Sequence, residues 1–183
     1  MKKIILSITF CLTLFALALP FQSYAQSLDD IKIQMVKDWE RAKAYTIEYL
    51  NKMPVDKYSF KPVDSIRSFA QQMLHLASGN GFLMSNATDQ PLPPFTISDP
   101  EHSATAQTKD SVMYYITTSY DYCINAVKNS DVNKWFEKKK IFSFEETHFA
   151  LMNKAFEHQT HHRGQTTIYI RLVGVKPPNE KLF

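Results

Sequence analysis

The chain has 183 residues, a mass of 21.2 kDa and a formal net charge of +3, with 44% hydrophobic and 21% charged residues. That balance is typical of one globular domain and argues against a disordered or coiled-coil protein. Only four glycines are present, and they do not form a Walker loop or a G-x-G-x-x-G motif. Nucleotide-binding α/β folds are therefore disfavoured, and a helical protein is the default expectation.

Residues 1–25 have the features of a secretory signal peptide. Two lysines near the start precede an apolar run over residues 4–21, and Ser23-Tyr24-Ala25 supplies small residues at a cleavage site before Gln26. The alternative is an uncleaved membrane anchor, which Pro20 and the small-x-small site disfavour. We expect cleavage and export to the periplasm or the extracellular space.

Cleavage would leave a single domain over residues 26–183. Because the signal contains Lys2 and Lys3 but no acidic residue, the net charge falls from +3 to +1. So small a charge does not predict nucleic-acid binding, and no stable membrane insertion is expected after cleavage. Cys123 is then the only cysteine, so no internal disulfide is expected.

Caps and periodicity predict the first two helices. Ser27 precedes two acidic residues at the start of an apolar periodicity that Pro54 ends. Ser68-Phe69-Ala70-Gln71 is a capping-box pattern and predicts a second helix that ends near Asn86.

Two more helices are predicted after a long connection. Residues 88–107 contain four prolines and indicate a loop, after which Thr108 caps a third helix. Lys138-Lys139-Lys140 indicates a solvated turn. Ser143-Phe144-Glu145-Glu146 fits a second capping box, opening a helix of about 30 residues that Gly174 ends. Four long amphipathic helices predict an all-α four-helix bundle.

A histidine pair on the last helix is the main candidate for chemistry. His158 and His162 are four residues apart, so both imidazoles lie on one helix face, a spacing that suits a divalent metal. His161 competes as the i+3 partner, but it belongs to a more polar flank. A zinc peptidase is disfavoured, because H-E-x-x-H needs glutamate where this chain has Gln159.

A third ligand would have to come from another helix. His75, in the middle of the second helix, is the candidate, although its helix face is not decisive. His148 is about 15 Å from His158 along a helix, too far to join the same site, and His102 lies in the proline-rich loop. The alternative is that these histidines are ordinary core residues.

The sequence resembles the DinB-like family of small four-helix proteins. The resemblance covers nearly all of the mature chain and is strongest at its end. Its motifs are Tyr58-Ser59-Phe60-Lys61-Pro62, Ser68-Phe69 with His75-Leu76-Ala77, and His158-x-x-x-His162-Arg163-Gly164-Gln165 followed by Tyr169, Arg171-Leu172 and Gly174.

This resemblance implies an up-down-down-up bundle with a long loop between helices 2 and 3. It also implies that His75, His158 and His162 bind a divalent metal such as zinc, nickel or iron. Some relatives are transferases or isomerases that use low-molecular-weight thiols, and homodimers occur among them. The predicted export signal is a departure from these relatives, and it counts against a direct transfer of their cytosolic thiol chemistry to this chain.

Three hypotheses follow for function. The chain is an exported metal-dependent hydrolase or thiol S-transferase acting on a small molecule, a metal-binding module without turnover, or a structural bundle. No residue stands out as a general base. Arg163 and Arg171 are expected to pair with acids such as Glu157, and packing roles are expected for Met73, Phe82 and Tyr169.

Overall fold

A computed structural model describes residues 27–183, and the predicted signal peptide lies outside the described residues. The described part consists of five α-helices, a two-stranded hairpin and short 3-10 turns. The main elements are α1 (Leu28–Lys52), α2 (Phe69–Thr88), the one-turn α3 (Pro94–Ile97), α4 (Lys109–Asn129), β1 (Lys138–Ile141), β2 (Phe144–Thr147) and α5 (His148–Leu172). The 3-10 turns are Val55–Lys57, Pro100–His102, Ala104–Gln107 and Val132–Lys134.

The helix starts follow the capping chemistry of the sequence. The Ser68 hydroxyl accepts the N–H of Gln71, and the Gln71 side chain accepts the N–H of Ser68, which confirms the predicted capping box. Ser27 caps α1 in the same reciprocal way. Each box satisfies backbone donors that the first turn of a helix leaves unpaired.

The four long helices form an up-down-down-up bundle, as predicted. α1 runs antiparallel to α4 and parallel to α5, while α2 runs antiparallel to α5 and packs on α4 as well. The pairs that set these directions are Glu40–Lys128 and Lys43–Asp121 between α1 and α4, Gln72–His162 and Ala87–His148 between α2 and α5, and Trp39–Phe156 and Tyr49–Thr167 between α1 and α5.

The core lies along the bundle axis and contains large apolar side chains. Trp39 is fully buried on α1 and meets Tyr120 and Phe156 edge-on. Met73 is fully buried, as its predicted packing role requires. Cys123 is buried and free, and burial raises the pKa of its thiol. None of the described helices combines the length and apolar character needed to span a bilayer.

The start of the last helix is the main correction to the sequence-based prediction. Phe144–Thr147 form β2, which pairs antiparallel with β1 and places Glu145 opposite Lys140. Lys138–Ile141 therefore form a strand and not a solvated turn. Opposite charges across an antiparallel pair stabilise it, and Phe142, at φ 54°, makes the tight turn between the strands.

The helix itself begins four residues later than predicted. Thr147 is its N-cap, accepting the N–H of Ala150, and α5 has 25 residues where about 30 were expected. The predicted capping box at Ser143 is therefore wrong. Phe82 of α2 stacks on Phe142 at the tip of the hairpin, which gives Phe82 a packing role as predicted.

Candidate metal centre

Three histidines from two helices converge on one point. His75 of α2 faces His158 and His162 of α5, and each ring offers one nitrogen such that all three nitrogens lie within 4.8 Å of one another. The ring centroids are 4.4 to 5.4 Å apart. Antiparallel packing of α2 on α5 creates this cluster, because it sets the middle of α2 beside one turn of α5. These three histidines are positioned to bind a metal ion.

The remaining histidines do not belong to this group of three, as predicted. His161 is exposed on the flank of α5. His148 is buried at the start of α5, where its Nδ1 lies 2.9 Å from the carbonyl oxygen of Ala87. His102 is in the loop, 2.9 Å from a carboxylate oxygen of Asp99.

Two features of the His158 environment fit a bound metal. Its Nδ1 is buried and has no hydrogen-bond partner in the described part of the chain, an arrangement that costs free energy unless another group satisfies the nitrogen. Its ring also packs directly on the backbone of α2 at Gly79, where a Cβ would stand 2.0 Å from the His158 Cε1. The site is thus shaped around an imidazole whose polar atom lacks a protein partner.

The two histidines of α5 are held in the neutral form that a metal ligand requires. Burial, followed by the neighbouring histidines, lowers the pKa of His158 to about 4 and that of His162 to about 3. Both imidazoles are therefore unprotonated at neutral pH, with lone pairs available for coordination.

The depressed pKa values predict acid sensitivity of the metal-free protein. Below pH 6.5, the ordinary histidine pKa, these two histidines take up protons in the unfolded chain but not yet in the folded chain. Their contribution to the free energy of unfolding is therefore fully present above pH 6.5 and is lost as the pH falls towards 4. We expect a loss of about 1–3 kcal/mol between pH 7 and pH 4. Urea unfolding in the presence of a chelator measures it. A His158→Gln/His162→Gln variant should show a shallower slope, and equal slopes would contradict this prediction.

Hydrogen-bond partners surround the cluster on its outer side. Glu101 accepts from the Nδ1 of His75 at 2.8 Å, and the side-chain nitrogen of Gln72 lies 2.8 Å from the Nδ1 of His162. Gln72 also bonds Gln165, whose amide nitrogen is 2.7 Å from the Nε2 of His161. In this orientation the Gln72 amide donates to the Nδ1 of His162, which places the proton of a neutral ring on Nε2. Coordination of a metal through Nε2 therefore requires the amide to present its oxygen, so that Nδ1 carries the proton instead.

A cleft of about 760 Å³ adjoins the hydrogen-bond partners of the cluster, and the three histidines themselves are not among its lining residues. It shares Gln72 and Glu101 with the hydrogen-bonding partners of the cluster, and its wall carries both cationic and acidic groups. The lining residues are Lys61, Pro62, Asp64, Ser65, Ile66, Arg67, Gln71, Gln72, Glu101, His102, Gln165, Ile168 and Tyr169. The volume lies within the usual range of small-molecule sites.

Tyr169 has a packing role and also faces this cleft. It packs edge-on against Phe60, and its hydroxyl donates to the backbone oxygen of Arg67. Its phenol therefore joins α5 to the residues just before α2. Desolvation raises its pKa, so the hydroxyl stays protonated at neutral pH.

Arg163 differs from the prediction that it pairs with an acid. Its side chain is buried, donates to the Gln159 Oε1 at 2.9 Å and lies 4.7 Å from the centre of the Tyr45 ring. Neither it nor Arg171 forms an ion pair with an acid among residues 27–183. For Arg163 the reason is its position on α5, which directs the guanidinium into the bundle, whereas Glu157 lies on the surface.

Comparison with known proteins identifies the family. The family model described as "DinB family" matches residues 24–182. The chain belongs to the DinB family. Nothing among the curated proteins matches this DinB-family protein. The predicted resemblance is confirmed over nearly the whole of the described chain.

Two solved structures of DinB-like proteins share its fold. One, from Bacillus subtilis, has a TM-score of 0.62 and 21% identity, covering 82% of this chain and 96% of that chain. The other, from Bacillus cereus ATCC 10987, has a TM-score of 0.64 and 14% identity, covering 80% and 95%. At these identities the likeness establishes the fold of the DinB-family bundle, in agreement with the prediction.

Several residues of this DinB-family site were missed by sequence reasoning. Gln72 precedes His75 by nearly one helical turn and Gly79 follows it by one, so helical spacing places both on the same side of α2. That spacing could have identified both residues as neighbours of His75. No sequence signal pointed to Glu101, because it follows His75 by 26 residues across a loop whose path the sequence does not determine.

Proposed function

We propose that this DinB-family protein is an exported metal-dependent enzyme, a hydrolase or thiol S-transferase that acts on a small molecule. The observation that carries the proposal is the convergence of His75, His158 and His162 beside a cleft. The export part is supported by the signal-peptide pattern of residues 1–25.

The number of ligands favours a catalytic centre over a structural one. Structural zinc sites are usually closed by four protein ligands, whereas catalytic sites have three and leave a position for water or substrate. Among residues 27–183 the histidine group has three members. Zinc, nickel and iron all accept imidazole ligands. When bound, such a metal acts as a Lewis acid and lowers the pKa of a water or thiol.

The cleft supplies groups for holding a small polar substrate. Lys61 and Arg67 are cationic, and Asp64 is acidic, while Ile66 and Ile168 add apolar surface. Such a wall can orient an acidic group and an amine of the same molecule next to Gln72 and Glu101, the hydrogen-bond partners of the histidines. The substrate class we propose is therefore a small polar molecule, with a low-molecular-weight thiol as one candidate.

The alternative is a metal-binding or structural bundle without turnover. It is favoured by the state of Glu101, the carboxylate nearest the histidines. Both of its oxygens are already engaged, one by His75 and the other by Arg67, so it is not free to act as a general base.

The test uses the protein recovered after export, whose intact mass should correspond to a chain starting at Gln26. Thiol consumption with a panel of electrophiles, and hydrolysis of a panel of esters and amides, are measured with zinc or nickel, with chelator, and in a His75→Ala variant. We expect turnover that chelation removes and metal restores. A protein that binds metal but shows no metal-dependent turnover would support the alternative, and a recovered chain that retains residues 1–25 would contradict the export part.

A further inference from the structure

Glu101 joins the long loop to the metal centre. It lies in the 3-10 turn Pro100–His102, and its side chain is 13% exposed. One carboxylate oxygen accepts from the Nδ1 of His75 at 2.8 Å, and the other accepts from the Nε of Arg67 at 2.5 Å. The Gln107 amide donates to the Glu101 backbone oxygen at 3.2 Å. Glu101 is therefore held by hydrogen bonds to its carboxylate and to its backbone oxygen.

The chemistry of a carboxylate determines the tautomer of its imidazole partner. An ionised carboxylate can only accept hydrogen bonds, so the Nδ1 of His75 must carry the proton. The Nε2 of His75 then has its lone pair free, which is the form that binds a divalent metal. A carboxylate in this position also raises the basicity of the ligand and orients its ring.

Within residues 27–183 the other two histidines have no comparable partner. His162 is paired with the Gln72 amide, which can present either its nitrogen or its oxygen, and the His158 Nδ1 has no partner. Glu101 is thus the charged group in contact with the cluster, and it acts on the one ligand that α2 contributes. The His75 side chain is also 30% exposed, so packing contacts alone do not fix the orientation of its ring.

We propose that Glu101 is a positioning residue that holds His75 in the Nδ1–H tautomer and thereby strengthens metal binding. This inference rests on the proposed metal site. It also gives the loop between α2 and α4 a role in metal affinity, because that loop carries the carboxylate.

The test compares the zinc dissociation constants of the wild type, Glu101→Ala and Glu101→Gln by competition with a chelator. We expect Glu101→Ala to bind zinc about 10- to 100-fold more weakly, the usual effect of losing such a partner. Glu101→Gln should lose less, because its amide oxygen still accepts from Nδ1. Asp99→Asn is the matched control, since it removes an exposed carboxylate of the same loop that contacts His102 and not His75. Its affinity should stay within about twofold of wild type, well below the loss expected at Glu101.

A second readout separates this role from a general loss of structure. Nitrogen-15 NMR of the metal-free protein should show the Nδ1–H tautomer of His75 in the wild type and in Glu101→Gln, and a growing Nε2–H population in Glu101→Ala. Unchanged zinc affinity in Glu101→Ala, or an Nε2–H tautomer in the wild type, would overturn the proposal. If the wild type binds no zinc, the proposed function fails, while the tautomer measurement still decides whether Glu101 positions His75.

Discussion

Replacing His162 with alanine is expected to weaken zinc binding at least about 100-fold, which exceeds the effect of losing an outer hydrogen-bond partner. His162 is 8% exposed, and its ring is nearest to both of the other histidines, with centroids at 4.6 and 4.4 Å. Removing it leaves two ligands from different helices, too few to hold a divalent metal tightly. Elemental analysis after dialysis should find about one metal per wild-type chain and close to none in the variant.

The adjacent histidine supplies a matched control. His161 is exposed, and although its ring touches that of His162, it does not belong to the group of three. His161→Ala removes the same side chain one position away and should keep the metal. Equal metal loss in both variants would show that the cluster does not bind metal in the way proposed. Metal retained in His162→Ala would contradict coordination by three histidines.

Replacing Gly79 with alanine should also disrupt the centre, although the change is one methyl group that is not itself a ligand. The added Cβ would stand 2.0 Å from the Cε1 and 2.6 Å from the Nδ1 of His158. Those distances are far inside van der Waals contact, so the ring must move. Since a zinc–nitrogen bond tolerates little deviation from about 2.0–2.1 Å, we expect affinity to fall by roughly 10- to 100-fold.

A second helical glycine makes this test specific. A Cβ at Gly164, on the exposed side of α5, would meet none of the atoms of residues 27–183 within 4 Å. Gly164→Ala should therefore bind zinc like the wild type and unfold at higher denaturant, because alanine in a helix is favoured over glycine by roughly 1 kcal/mol. Zinc titration and urea unfolding of both variants measure the two effects. Normal zinc affinity in Gly79→Ala would refute the close contact between α2 and the His158 ring.

The two experiments address different parts of the centre. His162→Ala tests whether the imidazoles are ligands, and Gly79→Ala tests whether the backbone of α2 sets the position of one of them. If zinc affinity falls in both variants, the site depends on the packing of α2 on α5 and not on α5 alone. That distinction bears on function, because an enzyme needs its metal held at a defined distance from the cleft.

The locally encoded features of the fold were predictable from sequence. The capping box at Ser68, the proline after α1 and the apolar periodicity of four helices each depend on residues within a turn or two of one another. The pairing of His158 with His162, and the exclusion of His161, followed from the same periodicity. His75 needed the family resemblance, because spacing on α2 alone did not decide its face.

The errors arose where two local interpretations competed. Ser143-Phe144-Glu145-Glu146 fits a capping box, yet Glu145 and Glu146 pair with lysines of β1 in a hairpin. A capping pattern carries no information about a strand several residues upstream that offers backbone and charge partners. Arg163 was misjudged for a related reason, since its partners Gln159 and Thr46 include a residue from a distant helix.

A helical, glycine-poor domain with a histidine pair on one face of its last helix could be predicted without a structure, because these properties follow from composition and from the 3.6-residue period. Three features of the site could not be predicted in this way: the close fit of the His158 ring on Gly79, the contact of Glu101 with His75, and the cleft next to Glu101 and Gln72. They join residues far apart in the chain, which come together only through the packing of α2 on α5 and the path of the loop.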